Sequence, residues 1–134
     1  MKFVIAMAIW LMIWPMSSGK LFPMTANSVV PGATGSVRVT RNKSNRNTVL
    51  DVKVNHLARP SSLTPSENSY LVWIRLNNGD VLKQGAIGVD KNLSGELKLE
   101  TVSRELDVFI TAEQGEGVST PSSVEILHAH ISTN

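Results

Sequence analysis

An all-β fold is what the sequence predicts, and three observations predict it. After Lys20 apolar and polar residues alternate with a period of two, and no stretch carries a convincing helical period. Clusters of Asn, Gly, Pro and Ser separate the alternating runs at roughly 8–12-residue spacing, which is the pattern of a two-sheet antiparallel sandwich. Between two of those runs stands Asn78-Gly79, the strongest two-residue hairpin signal.

The chain begins differently. Phe3 to Met16 reads FVIAMAIWLMIWPM without a charge, entered through Lys2 and followed by Ser17-Ser18-Gly19-Lys20. A basic start, an apolar core of about 7–15 residues and a small-residue exit form the secretory signal pattern, and the run is short of the ~20 apolar residues a bilayer span needs. Pro15 stops a helix near the end of the run, and Ser17 and Gly19 offer small side chains for a cut before Lys20. Residues 1–19 therefore predict a signal helix and a periplasmic or secreted protein, with an uncleaved anchor through residues 3–16 as the alternative.

Residues 20–34 read as an extended leader broken by Pro23, Pro31 and Gly32, and residues 35–131 as one sandwich domain. The expected strands are 35–41, 48–57, 70–76, 81–87, 95–101, 106–113 and 124–131, a single antiparallel seven-stranded immunoglobulin-like sandwich. A small closed barrel is the alternative. In 48–57, Leu50, Val52 and Val54 point inward while Asp51, Lys53 and Asn55 point to water. The run 70–76 is apolar on both faces except for Arg75, so it belongs in mid-sheet with something packed on each side, and Trp73 is expected at the centre of the sandwich.

Composition narrows the function. Beyond the export segment the length suits one domain. The absence of cysteine removes disulfides, thiolate nucleophiles and cysteine-ligated metals. With 13 basic and 11 acidic residues the net charge is +2, which is no nucleic-acid footprint. The charge is unevenly placed: seven cations and Asp51 alone lie between Lys20 and Arg59, and five cations against ten acids follow from Pro60. The plain expectation is that early and late strands mix their charges on one surface. The sharper one is a basic patch of Arg38, Arg41, Lys43 and Arg46 touching acidic lipid or glycan.

Candidate chemistry is sparse. His128 and His130, two residues apart on the last strand, put both imidazoles on one face and could share a metal with His56 or a carboxylate as third ligand. The plainer reading is a solvated or core-facing pair, because Val124 and Ile126 share their face. No Gly-x-Ser-x-Gly elbow is present. Glu113 and Glu116 flank a glycine-rich turn as a conceivable carboxylate pair, but acids in a loop are usually solvated. Pro31-Gly32-Ala33-Thr34-Gly35 lacks the Gly-Lys-Ser/Thr close of a phosphate loop and reads as a turn.

Five segments recur in order: Gly35-Ser-Val-Arg-Val, Leu50-Asp-Val-Lys-Val-Asn-His-Leu, Tyr70-Leu-Val-Trp-Ile, Val108-Phe-Ile-Thr-Ala-Glu and Pro121-Ser-Ser-Val-Glu-Ile-Leu. The series resembles the extracytoplasmic domain of bacterial anti-sigma-K-type factors, over about residues 30–131. The resemblance implies a β-sandwich and supplies no catalytic residues. Sigma-factor inhibition does not come with it, because in those factors it belongs to a separate cytoplasmic region that this chain is expected to lack. The resulting expectation is a non-catalytic exported envelope module. It binds a protein partner or its own copies, or serves a structural or sensory role, without cofactor or nucleic acid, and meets a membrane only through an uncleaved N-terminal segment. The alternative is a metal or small-ligand carrier using His56, His128 and His130.

Overall fold

The computed structural model describes residues 19–133, so the expected signal helix lies outside the described residues. Within them run nine strands: β1 (Lys20–Pro23), β2 (Thr25–Ala26), β3 (Thr34–Arg41), β4 (Thr48–Asn55), β5 (Ser69–Leu76), β6 (Val81–Ile87), β7 (Gly95–Thr101), β8 (Glu105–Glu113) and β9 (Glu125–Ser132). A 3-10 turn at Pro60–Ser62 interrupts the β4–β5 loop. The strands form two antiparallel sheets, in the orders β1-β3-β4-β7 and β2-β9-β8-β5-β6. Strands β3 to β9 are the seven expected runs, each boundary within two residues of where alternation puts it. The expected count of seven is corrected to nine because the leader is itself paired.

That leader joins the two sheets. Lys20–Pro23 pairs with β3, the chain bends at Met24, and Thr25-Ala26 then pairs with β9 of the other sheet. The Met24 amide donates to the Gly35 carbonyl at 2.8 Å and the Asn27 amide to the Ile126 carbonyl at 2.7 Å. Met24, Val30 and Ala33 are buried in the main core. Gly35 leaves room for this bend, since a Cβ there would lie 3.0 Å from Met24 Sδ. Strands this short and interrupted by Pro23 carry no alternation to read, which is why the sequence shows only an extended segment.

Between the sheets lies the core that alternation predicts. Val37, Leu50, Val52 and Val54 of the four-stranded sheet pack against Tyr70, Val72, Ile74, Val108, Ile110 and Leu127 of the other. Burial of each such side chain contributes roughly 1.5–3 kcal/mol. The Tyr70 hydroxyl, sunk in this core, donates to the Ala58 carbonyl at 2.5 Å, and burial pushes its pKa up to about 12.

The other face of β5 is also covered, as its sequence demands, but the position of Trp73 differs from expectation. Leu71, Trp73 and Phe109 form a second, separate core on the outer face of the five-stranded sheet, with Val81, Ala86 and Val118 against it. Trp73 is therefore fully buried outside the sandwich rather than at its centre. Strand parity decides this: with Tyr70 and Val72 turned inward, Trp73 must turn outward. The roof is the β8–β9 loop, residues 114–124, held down by Lys83, whose Nζ donates to the carbonyls of Glu116 at 2.6 Å and Val118 at 2.9 Å.

Under that roof runs a closed polar chain. Trp73 Nε1 donates to Thr111 Oγ1 at 2.8 Å, and Thr111 Oγ1 donates to Glu113 Oε2 at 2.6 Å. Glu113 also accepts from the Ser122 amide at 3.2 Å and from the Ser122 hydroxyl. Glu113 is completely buried and fully engaged, whereas Glu116 is exposed, so the two acids do not form a pair. Two substitution series check this account by urea unfolding. Met24→Ala is expected to cost about 2–4 kcal/mol although it lies in the leader, and Val29→Ala, largely exposed, less than about 0.5. Glu113→Ala should cost about 2–3 kcal/mol by stranding the Thr111 and Ser122 donors, against less than about 0.5 for Glu116→Ala.

Candidate functional site

The uncovered half of the outer face, beside the Trp73 roof, gathers six ionisable side chains from three strands. Arg75 of β5 lies directly opposite Asp107 of β8, and Asp107 directly opposite His130 of β9. Such cross-strand neighbours are within side-chain reach of one another. Arg75 Nη1 is 3.8 Å from Asp107 Oδ2, and its Nη2 donates to Glu125 Oε1 at 2.5 Å. On the way the guanidinium passes over the Phe109 ring, 4.6 Å from its centroid, which adds a cation–π attraction and lids the outer core.

Asp107 is the hub. Its Oδ1 accepts from His130 Nδ1 at 2.8 Å and lies 3.4 Å from His128 Nε2. His130 Nε2 also faces Glu105 Oε1 at 3.5 Å. The side chains of Arg75, Asp107, Glu125 and His128 are each between 25% and 37% exposed, held against the sheet yet open to a partner. With both imidazoles neutral the cluster is net negative, and their protonation would cancel that charge. The hydrogen bond to Asp107 raises the pKa of His130 above its ordinary 6.5, burial opposes this more weakly, and the charges of Asp107 and Glu105 add to the rise.

A bulge builds the cluster. The β8–β9 register shifts between Ile110 and Thr111, so Thr111 faces Glu125 while Ile110 faces Leu127, and Ile126 is left over. Ile126 and Leu127 consequently both enter the main core, and Glu125 turns out beside His128. Strict alternation puts Ile126 on the histidine face and Glu125 on the opposite one. That is why sequence reasoning singles out His128 and His130 but misses Glu125. Asp107 was equally hidden as one acid of an ordinary alternating strand. The readable hint was Arg75, the lone charge in an apolar run.

Of the three histidines considered as ligands, His128 and His130 come together and His56 does not. His56 follows β4, in the other sheet, and is exposed with a φ of 55°. Among the described residues no group of three His, Asp or Glu side chains is arranged to hold a metal ion. The clefts at the two ends of the sandwich are lined by other residues. The chain matches no protein-family model and no curated protein.

The raised pKa of His130 gives a signed expectation. Protonated His130 stabilises the fold, and that contribution is complete below pH 6.5 and is lost as pH rises through the folded-state value. Asp107→Asn should bring the pKa of His130 back toward 6.5 in a proton NMR titration and flatten the stability profile above that pH. The effect on stability is small, because the imidazole is largely exposed.

Proposed function

We propose that the chain is an exported, non-catalytic envelope module that binds a protein partner, or a second copy of itself, through the outer face of β5, β8 and β9. The observation that carries this reading is the Asp107 cluster: charged groups of both signs, pre-positioned on an open sheet face over the apolar Phe109 floor. Side chains already held in one geometry lose little further entropy when a partner docks, and opposed charges select the partner's own pattern. The chemistry available suits recognition, since the side chains of Arg75, Asp107, Glu125 and His128 are held in place yet partly exposed.

The resemblance to the extracytoplasmic domain of anti-sigma-K-type factors supports the same reading, as does an immunoglobulin-like plan. For that plan the support is the strand order β3-β4-β7 in one sheet and β9-β8-β5-β6 in the other, with β4–β5, β6–β7 and β7–β8 crossing between them. Export rests on the uncharged run from Phe3 to Met16.

Sedimentation of the solubilised full-length chain, alone and with envelope extract, tests the reading. Binding or dimerisation should occur and should fall at least tenfold in Asp107→Lys, which opposes charge on the face without touching the core. A strict monomer whose retained proteins are the same in Asp107→Lys would reject it. A second reading, metal binding by His128 and His130, draws on their place on one face of β9, although with Asp107 they form no ready set of three ligands. Calorimetric titration with copper or zinc checks it, and His128→Ala should abolish the heat.

A further inference from the structure

The strand directions place five cations at one end of the sandwich. Lys20 pairs beside Val39, Thr48 beside Thr101, and Leu106 beside both Leu76 and Ile131. The start of β1, the β3–β4 turn, the β7–β8 turn and the end of β9 therefore share that end. It carries Lys20, Arg41, Lys43, Arg46 and Arg104. Among the described residues none of these five is in an ion pair. The acids of the same end are fewer than the cations: Glu100, which accepts from Asn42 at 3.0 Å, Asp80, which accepts from Asn78 at 3.0 Å, and Glu105, which faces His130, with Asp107 and Arg75 opposed just inside them. Arg38, by contrast, lies opposite Asp51 on the outer face of the four-stranded sheet, where Asp51 in turn faces Lys98 and signs mix. The basic patch expected from the sequence thus divides between that mixed face and this end.

Two further features give the cations a direction. Between them opens a shallow cleft of about 250 Å³ lined by Lys20, Thr40, Arg41, Thr48, Ser132 and Thr133, with two cations among hydroxyl donors. At the β7–β8 turn Val102 stands 80% exposed, an apolar side chain among charges. The described residues also begin here, at Gly19, and in the sequence the uncharged run ends at Met16. The four residues from Met16 to Lys20 span at most about 14 Å when fully extended. Any bilayer that holds the apolar run is therefore within reach of these side chains.

We infer that this end of the sandwich is a membrane-contact surface that seats on anionic phospholipid headgroups, with the cations against the phosphates and Val102 at the interface. Each basic side chain near an anionic surface strengthens association about fivefold. Five together orient the domain with this end toward the bilayer, so that β8 and β9 rise from it and His128 and Glu125 lie farther from the lipid than Asp107 and His130. The opposite end offers no such match, with Arg59 and Lys91 against Glu67, Asp90 and Glu116.

The chain contains no cysteine, so single labels can be placed at will. The full-length protein is reconstituted in nanodiscs of phosphatidylcholine with or without phosphatidylglycerol, bearing a fluorophore at Asn45→Cys in the β3–β4 turn or at Ser61→Cys at the far end. The Asn45 label should be shielded from an aqueous quencher only when phosphatidylglycerol is present, and the Ser61 label equally open in both discs. Salt near 0.5 M should remove the shielding by screening. Arg104→Gln should weaken it about fivefold. The quadruple variant Arg41→Gln, Lys43→Gln, Arg46→Gln, Arg104→Gln should abolish it with an unchanged circular-dichroism melt. Equal shielding in both lipids, shielding that survives high salt, or its loss in millimolar inorganic phosphate, which would mark a free-anion site, overturns the proposal.

Discussion

Strand β5 is the constraint from which the rest of the molecule follows. Tyr70, Val72 and Ile74 need a core on one side, and Leu71 and Trp73 need another on the opposite side. The facing sheet meets the first demand. The second cannot be met by a sheet, because the five-stranded sheet is the outer layer, so the β8–β9 loop folds back over it. A loop brought against an apolar face carries polar backbone with it, and that backbone must be satisfied. Lys83, Thr111, Glu113 and Ser122 meet that need, which explains a wholly buried carboxylate in a domain with no evident use for one.

The same arrangement limits where anything else can bind. The roof covers the half of the outer face nearer the loop, and Arg75 closes its border by lying on Phe109. What remains open is the half held by Asp107 and its neighbours. The bulge at Ile126 that lets β9 return from the roof also turns Glu125 outward to meet Arg75. Roof, bulge and charged cluster are thus one construction, and the proposed docking face is its exposed margin.

Legibility in the sequence tracked the length and regularity of each element. β3 to β9 were readable because seven or more residues of alternation, or a doubly apolar run, specify a strand and its neighbours. β1 and β2 were not, since four and two residues carry no period and their pairing depends on residues far along the chain. The doubly apolar run 70–76 marks β5 as covered on both faces, and Trp73 is buried, though in the outer core and not at the centre of the sandwich. Choosing its face needed the parity of the whole strand against a sheet position that one sequence does not disclose. At the candidate site the two histidines were visible as a same-face pair. Asp107 emerged only from the register of β8 between β5 and β9, and Glu125 only from a bulge, which by its nature breaks the rule used to read it. His56, grouped with the others by residue type, is separated from them by the two-layer topology.

The leader has a consequence for how the molecule is completed. β2, early in the described chain, zips onto β9, late in it, while β1 edges the opposite sheet. Until β9 is in place, β2 has no strand to pair with and the edge of β8 presents bare amides and carbonyls to any neighbouring strand. Closing so long a loop is slow relative to forming the local hairpins. The fold is thus built like a drawstring purse, its seam drawn shut by early and late strands together, and a copy in which β9 is unpaired is sticky along the very margin that the paired one hides.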